Sequence, residues 1–588
     1  MKRYFKFTIL PIALSLMATV NTGCLEEAFP EDGSISATQI SEGGAIEGLA
    51  LAMPAYFNAG GSESFDIGFV GFQIFMDAMT ADYPTNNETM DYFRYFNTQI
   101  SIGNIGVSQN WWVRYYYLIQ KANSVIKNSN PDVDLNGQNS FFLGAGYVFR
   151  AYSYLDMARF FEYKHTNVAR LDNIADERGL WGLTVPIITE KTTEMESRRT
   201  PRAPFYEMYR FIYTDLLAAE KYLQNHHAAV SKDMPCLGVV YGIQARMWLE
   251  LGTRFSLYPE YLAMQIENEN NPELEKYQKL GIASAVDCFA KAAEYAQKAI
   301  GEGFTPLSKS QWFDTSTGFN TPNNSWLWAI VLPSSDASVN NTWKSIPSFK
   351  SPEATYGMSY GSGIYRMIDA RLFGKIDAND WRRTTWIDPA FTDMEDEDEK
   401  KEEFNNTYAR NTTLDYESFC NFNAYTGFKF RPASGNGQTP SVGNVVDMPL
   451  MRIEEMYLIE AEAIARCQGA AAGKTAIESF MNTYRMEEGT TFTCPSAQLD
   501  DVIDVIWTQK RIELWGEGQV FWDYKRRELP IERGYPGTNH PSAYRYNSYP
   551  LAVAPWTNFY IPDRVQTTNP TVVLNPDPNQ AISTLWTE

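Results

Sequence analysis

The sequence predicts a mainly α protein: a tetratricopeptide-like helical repeat scaffold with a large loop-rich region carrying a few short strands. Three observations predict it. Apolar residues recur at three- or four-residue steps over most of residues 103–303, which places them on single helical faces. Small Ala alternates with large aromatics along those faces, the way paired helices interlock in repeat arrays. The periodicity then fades between residues 304 and 449, where Pro, Gly, Ser and Asn become frequent.

Taken in order, the first stripe is Trp112, Tyr116, Ile119, Ala122 and Ile126, followed by Tyr147, Ala151, Tyr154 and Ala158. Then come Tyr206, Tyr209, Tyr213 and Leu216; Val240, Ile243, Met247 and Leu251; and Phe289, Ala293, Ala296 and Ile300. No exact repeat of about 34 residues is visible, so these are degenerate copies. Within residues 304–449, Trp326–Leu332 reads as a short strand. Helical pattern returns over residues 450–526, first with Ile453, Tyr457, Ala461 and Ile464, then over about Val502–Trp515. Residues 527–588, rich in Pro, Tyr and Asn, read as a loop-dominated tail. A helical array can grow to 588 residues around one continuous core.

Composition bounds the function. Hydrophobic residues make up 44% and charged residues 21%, the range of a folded globular chain. The net charge is −21, and more negative once Lys2, Arg3 and Lys6 of the leader are removed, which disfavours nucleic acid as a partner. A neutral ligand would not be repelled. The 14% aromatic content fills cores and can also supply flat faces for sugar rings. Six cysteines without a C-x-x-C pair, and only four histidines, make a zinc site improbable. Cys288 and Cys467 fall within helical patterns and are expected as buried thiols.

The N-terminus, MKRYFKFTILPIALSLMATVNTGC, has a basic start and an apolar run from Ile9 to Val20 that is too short to span a bilayer. Residues 1–23 read as a lipoprotein signal peptide, with Gly23 before Cys24, the expected acylated first residue. Asn21 stands where a lipobox has Leu, and ordinary signal cleavage nearby is the alternative. Residues 24–588 read as a single domain.

Several blocks occur in a recognisable order: WWVRYYYLIQKANSVI from Trp111, GYVFRAYSYLDMARFF from Gly146, TVPII from Thr184, DLLAAEKYL from Asp215, GIQARMWLELG from Gly242, MRIEEMYLIEAEAIAR from Met451, and KRIELWGEGQVFWDYKR from Lys510. Together with the leader they resemble the SusD/RagB family of nutrient-binding outer-membrane lipoproteins. The resemblance implies a surface receptor, anchored to the outer membrane through Cys24 and facing the cell exterior. Such a receptor closes over a SusC-like TonB-dependent transporter, holds an oligo- or polysaccharide between the two proteins, and has no catalytic role or cofactor. A peptide-binding, RagB-like receptor is the alternative within the family, and a surface glycoside hydrolase the alternative outside it.

The C-terminal charges read as structural. Glu454 and Glu460 can face Arg452 or Arg466, and Arg511, Glu513, Glu517, Asp523 and Arg526 can form a partly buried ion network. Two stretches combine aromatic faces with hydrogen-bonding groups, as sugar binding requires. One carries Asp82, Tyr83, Asn86, Asn87 and Arg94; the other carries Trp343, Tyr356, Tyr360 and Tyr365.

Other signals point to loops. Gly357-Met358-Ser359-Tyr360-Gly361 fits the G-x-S-x-G pattern, but its flanks are not a strand and a helix, and the only later histidine is His540. Asp132-x-Asp134-x-Asn136-Gly137 copies half a calcium loop, with Leu143 where a bidentate Glu belongs, so it reads as an Asp/Asn-rich helix connector, with a structural calcium as the alternative. Met394–Glu403 reads as a solvated acidic loop.

Overall fold

The computed structural model describes residues 44–58, 68–86, 107–228, 231–332, 345–357, 363–548, 553–578 and 584–587. Residues 44–48 open a helix, α1 (Gly44–Asn58), and Leu49–Glu588 forms one compact unit, within which all contacts given below lie. The leader and Cys24 lie outside the described residues. Among the described residues no helix is long and apolar enough to cross a membrane.

The fold is mainly α. After α1 come α2 (Phe69–Ala78), α3 (Val107–Asn128), α4 (Gln138–Phe161), α5 (Phe205–Leu223), α6 (Leu237–Leu257) and α7 (Ala285–Gly301). Then follow α8 (Ile453–Gln468), α9 (Ala470–Tyr484), α10 (Leu499–Glu513) and α11 (Val520–Arg526). Successive long helices pack on one another: α3 on α4, α4 on α5, α6 on α7, α7 on α8. Local chemistry marks the start of α7. Ser284 caps α7 in a reciprocal pair with Asp287, which satisfies two of the helix's free N–H groups.

The α6 stripe is as read, with Val240, Ile243, Met247 and Leu251 all fully buried. The α3 stripe is partly as read, with Trp112, Ile119 and Ala122 buried, but the buried face is wider and centred to one side of it. Its buried line is Trp111, Tyr115, Leu118, Ala122 and Val125, while Tyr116 and Ile126 are half-exposed. Aromatic partners from three other segments decide this: Trp111 packs on Phe72 (4.2 Å), Phe160 (4.5 Å) and Phe559 (4.8 Å). Helix α4 has no solvent face to speak of, because neighbours surround it. Gly144 lets α5 come close: a Cβ there would lie 2.6 Å from Leu223. Cys288 is buried as expected, whereas Cys467 is only half-buried.

The strand is Trp326–Ile330 (β1), and its antiparallel partner is Met448–Arg452 (β2), in the register Trp326↔Arg452 to Ile330↔Met448. The expected helical stretch from residue 450 takes in Met451 and Arg452, but the ladder holds them extended, and α8 starts at Ile453. The acidic run also differs from expectation. Glu397–Glu403 is a short helix rather than a loop, capped by Asp396 and with no buried residue, with acids in its first turn and lysines in its last. That placement suits the helix dipole. In the half calcium loop, Asp134 instead accepts from the Asn136 N–H (3.0 Å), and Leu143 is buried in α4.

The motif blocks converge in space. Arg150 on α4 makes a two-pronged bond to Asp215 on α5 (2.7 and 2.8 Å) and donates to Asn123 on α3 (2.8 Å) and to Glu190 (2.6 Å). Tyr154 Oη donates to the Ile188 carbonyl at 2.9 Å, which ties in the TVPII segment. Arg246 on α6 pairs with Glu455 on α8 (2.6 Å).

The C-terminal charges form three clusters rather than one. Glu513 meets Arg452, Arg485 and Arg382, and Glu517 meets Arg452 and Lys429. Arg526 pairs with Glu462 and Asp523, and Lys510 with Asp523. Arg511 turns away from both and pairs with Asp82. Glu454 does meet Arg452 (2.9 Å), fully buried, but Glu460 accepts from Gln297, and Arg466 pairs with Glu462.

Candidate functional site

The predicted ligand residues lie around a junction of three extended segments. The Pro84 carbonyl accepts from the Met367 N–H (2.8 Å), and the Asn86 N–H donates to the Tyr365 carbonyl (3.3 Å). The Asn86 side chain closes the pair from both ends. Its Nδ2 donates to the Gly363 carbonyl at 2.7 Å, and its Oδ1 accepts from the Tyr365 N–H at 2.8 Å. The third segment joins through the Gly427 N–H to Arg366 (3.0 Å) and the Ile368 N–H to Tyr425 (3.0 Å).

These bonds decide what each residue does. Asp82 and Tyr83, expected at a ligand face, are buried and face inward. Asp82 holds the Arg511 guanidinium, and its backbone carbonyl accepts from Trp515 Nε1 (2.9 Å). Tyr83 packs on the Trp515 ring at 4.8 Å. Two residues of a polar stretch are thus committed to the core, because α10 and the chain after it close over them. Asn86 spends its amide on the backbone, so it shapes the junction rather than offering free hydrogen bonds.

Tyr365 is largely buried, edge-on to Phe422 (5.1 Å), with its hydroxyl accepting from the Asn423 N–H (3.3 Å). Burial pushes its pKa up. Tyr356 is half-buried, and its hydroxyl has no hydrogen-bond partner among the described residues. Gly443 makes room for that hydroxyl, which lies 2.3 Å from where a Cβ would stand. Asn87, Arg94, Trp343 and Tyr360 lie outside the described residues, as does most of the G-x-S-x-G motif. His540 is buried against the Ala81 carbonyl (2.9 Å) and held down to about 3 by burial and Arg533, so it stays neutral and fixed.

In the other direction, the same two strands lead through Ala81 and Asp369 into a cleft of about 500 Å3. Trp507, Arg511 and Asp504 line it from α10; Arg371 and Lys375 line it from the segment after the junction, and Glu532 from the tail. None of these was singled out as a ligand residue from the sequence, because they come from three stretches far apart in the chain. One signal was legible: Asp504, Trp507, Thr508 and Arg511 recur at helical steps, giving α10 a polar-aromatic face.

Residues 313–585 match the model of the SusD family, and residues 73–249 match a second SusD-like model, described as starch-binding and associating with the outer membrane. Solved structures share the fold. A SusD-like carbohydrate binding protein from Bacteroides vulgatus aligns over 93% of this chain and 99% of its own, at 17% identity and a TM-score of 0.62. A SusD superfamily protein from Bacteroides thetaiotaomicron aligns over 90% and 99%, at 16% identity and 0.59. One from Parabacteroides distasonis aligns over 92% and 100%, at 14% identity and 0.57. No curated protein gives a significant match. The chain belongs to the SusD/RagB family.

Proposed function

We propose that this protein captures a glycan at the outer surface of the outer membrane, held there by acyl chains on Cys24, and delivers it to a SusC-like TonB-dependent transporter. It catalyses no reaction on the glycan. The observation that carries this reading is the match of residues 73–249 to a family described as starch-binding and associating with the outer membrane. That stretch includes Pro84–Asn86, the first strand of the junction. At the junction, pairing of the Asn86 amide with the Gly363 carbonyl and the Tyr365 N–H holds Asn86 and Tyr365 together. Rigid framing of this kind lowers the ordering cost of ligand binding. The acidic surface suits a neutral polysaccharide, which pays no repulsion against a net charge of −21.

The test is calorimetry of the mature chain, without its anchor cysteine, against starch and other plant, host and microbial polysaccharides, with peptides as controls. The expected result is heat of binding with one glycan class, which is recovered intact. Steady release of reducing ends, or heat with peptides alone, would overturn the reading.

A further inference from the structure

We infer that the cleft between α10, the Asp369–Lys375 segment and the tail is a second, separate binding site, one that takes a neutral pyranose unit. The cleft's own lining supports this independently of the junction. At about 500 Å3 it lies within the range of small-molecule sites.

Charge decides the class of ligand. Three cations around the cleft are already matched: Arg371 with Glu532 at 3.0 Å, Arg511 with Asp82, and Arg527 with Asp504 at 3.2 Å. Asp369 accepts from Tyr535 Oη at 2.7 Å. The Lys375 ammonium makes no hydrogen bond or ion pair with any described residue. Burial and the nearby Arg511 push its pKa down. Lys375 and Asp369 therefore leave one charge of each sign, and the lining is neutral in sum. An anionic ligand would gain Lys375 but meet the unmatched Asp369. A neutral polyol meets donors and acceptors together, which is what hydroxyl groups need.

The flat face is Trp507. It is partly exposed at the cleft, held edge-on by Tyr524 (5.2 Å) and flanked by the guanidiniums of Arg511 and Arg527 (5.6 and 5.5 Å from the ring centre). An indole fixed in this way need not be ordered on binding, so its contact with the C–H face of a sugar ring is gained at little entropic cost. Three uncommitted N–H donors of Lys375 and the exposed Asp504 carboxylate stand at the same cleft to meet hydroxyls.

Saturation-transfer NMR on the full mature chain tests this, using methyl glycosides of glucose, galactose, mannose, xylose and N-acetylglucosamine, with glucuronate as the anionic comparison. At least one neutral glycoside is expected to show transfer. Lys375→Met and Trp507→Ala should each weaken its binding by about tenfold or more, the scale of one hydrogen bond to a charged group or one lost ring contact. Trp507→Phe, which keeps a flat ring, should weaken it less. Lys375 breaks no pair when replaced, so its variant should melt with the wild type. Absence of transfer from every neutral glycoside, transfer that neither variant reduces, or a preference for glucuronate would each overturn the inference. If polysaccharide binding stands while transfer is absent, the cleft assignment fails alone. If the reverse holds, the capture reading fails and the cleft stands.

Discussion

Arg452 shows how this protein uses charge. Its guanidinium, fully buried, meets Glu454, Glu513 and Glu517, and Glu513 also serves Arg382 and Arg485. Charges this deep persist because each is answered; removing one partner leaves another uncompensated. Glu513→Gln keeps the shape and removes the charge, and should destabilise the protein by about 3–5 kcal/mol in urea unfolding. Lys375→Met, by contrast, breaks no pair and should stay within about 0.5 kcal/mol of wild type. A loss for Glu513→Gln no larger than that for Lys375→Met would remove the network from any account of stability. At this scale the sequence supplied the charged residues but not their partners. Asp82 and Tyr83 read as an exposed loop because the stretch is polar; only the approach of Arg511 and Trp515, more than 400 residues along, buries them.

The helices behave as their periodicity requires, with deviations that share one cause. A stripe in sequence fixes which residues can share a face, but neighbours fix how wide the buried face becomes. The buried face of helix α3 widened toward Phe72, Phe160 and Phe559, and α4 lost nearly all of its solvent face. The close contact of α4 with α5 at Gly144 should not admit a methyl group. Gly144→Ala should cost about 1–3 kcal/mol by thermal or urea unfolding, since Leu223 must shift to accept it. Ser284→Ala, at the start of α7, removes one cap and should cost about 1 kcal/mol. The misread elements were short ones. Met451 and Arg452 look helical by their continuity with α8, yet pairing with Trp328 and Trp326 makes them part of a strand.

For the whole molecule, titration gives a signed expectation. Glu162, Glu462, Glu513 and Glu517 are pushed up by burial, but neighbouring cations more than offset this and hold each below its ordinary 4.5. Such groups stabilise the fold fully above pH 4.5, and that contribution is lost as pH falls through their folded values. His540, held down to about 3, acts in the same direction below pH 6.5. Burial raises Asp447 to about 6 and Asp77 to about 7, and their contribution has the opposite sign, being lost as pH rises toward those values. The melting temperature should therefore change only modestly from pH 5 to 7, where His540 and the two raised carboxylates act in opposite directions, and fall steeply below 4.5. A flat profile down to pH 3 would mean that the buried carboxylates are not ionised in the folded state.

The sequence by itself determined that this is a helical-array protein of the SusD/RagB family, because helical periodicity is a short-range property and the motif blocks carry their own buried partners, such as Arg150, Tyr154 and Asp215. The tertiary structure alone decided which polar residues face water. Asp82 went inward to Arg511, Asn86 spent its amide on the backbone, and Asp504, Trp507, Arg371 and Lys375 came together at one cleft. Burial and pairing depend on residues hundreds of positions apart, and no local pattern in a single chain encodes which of them will meet.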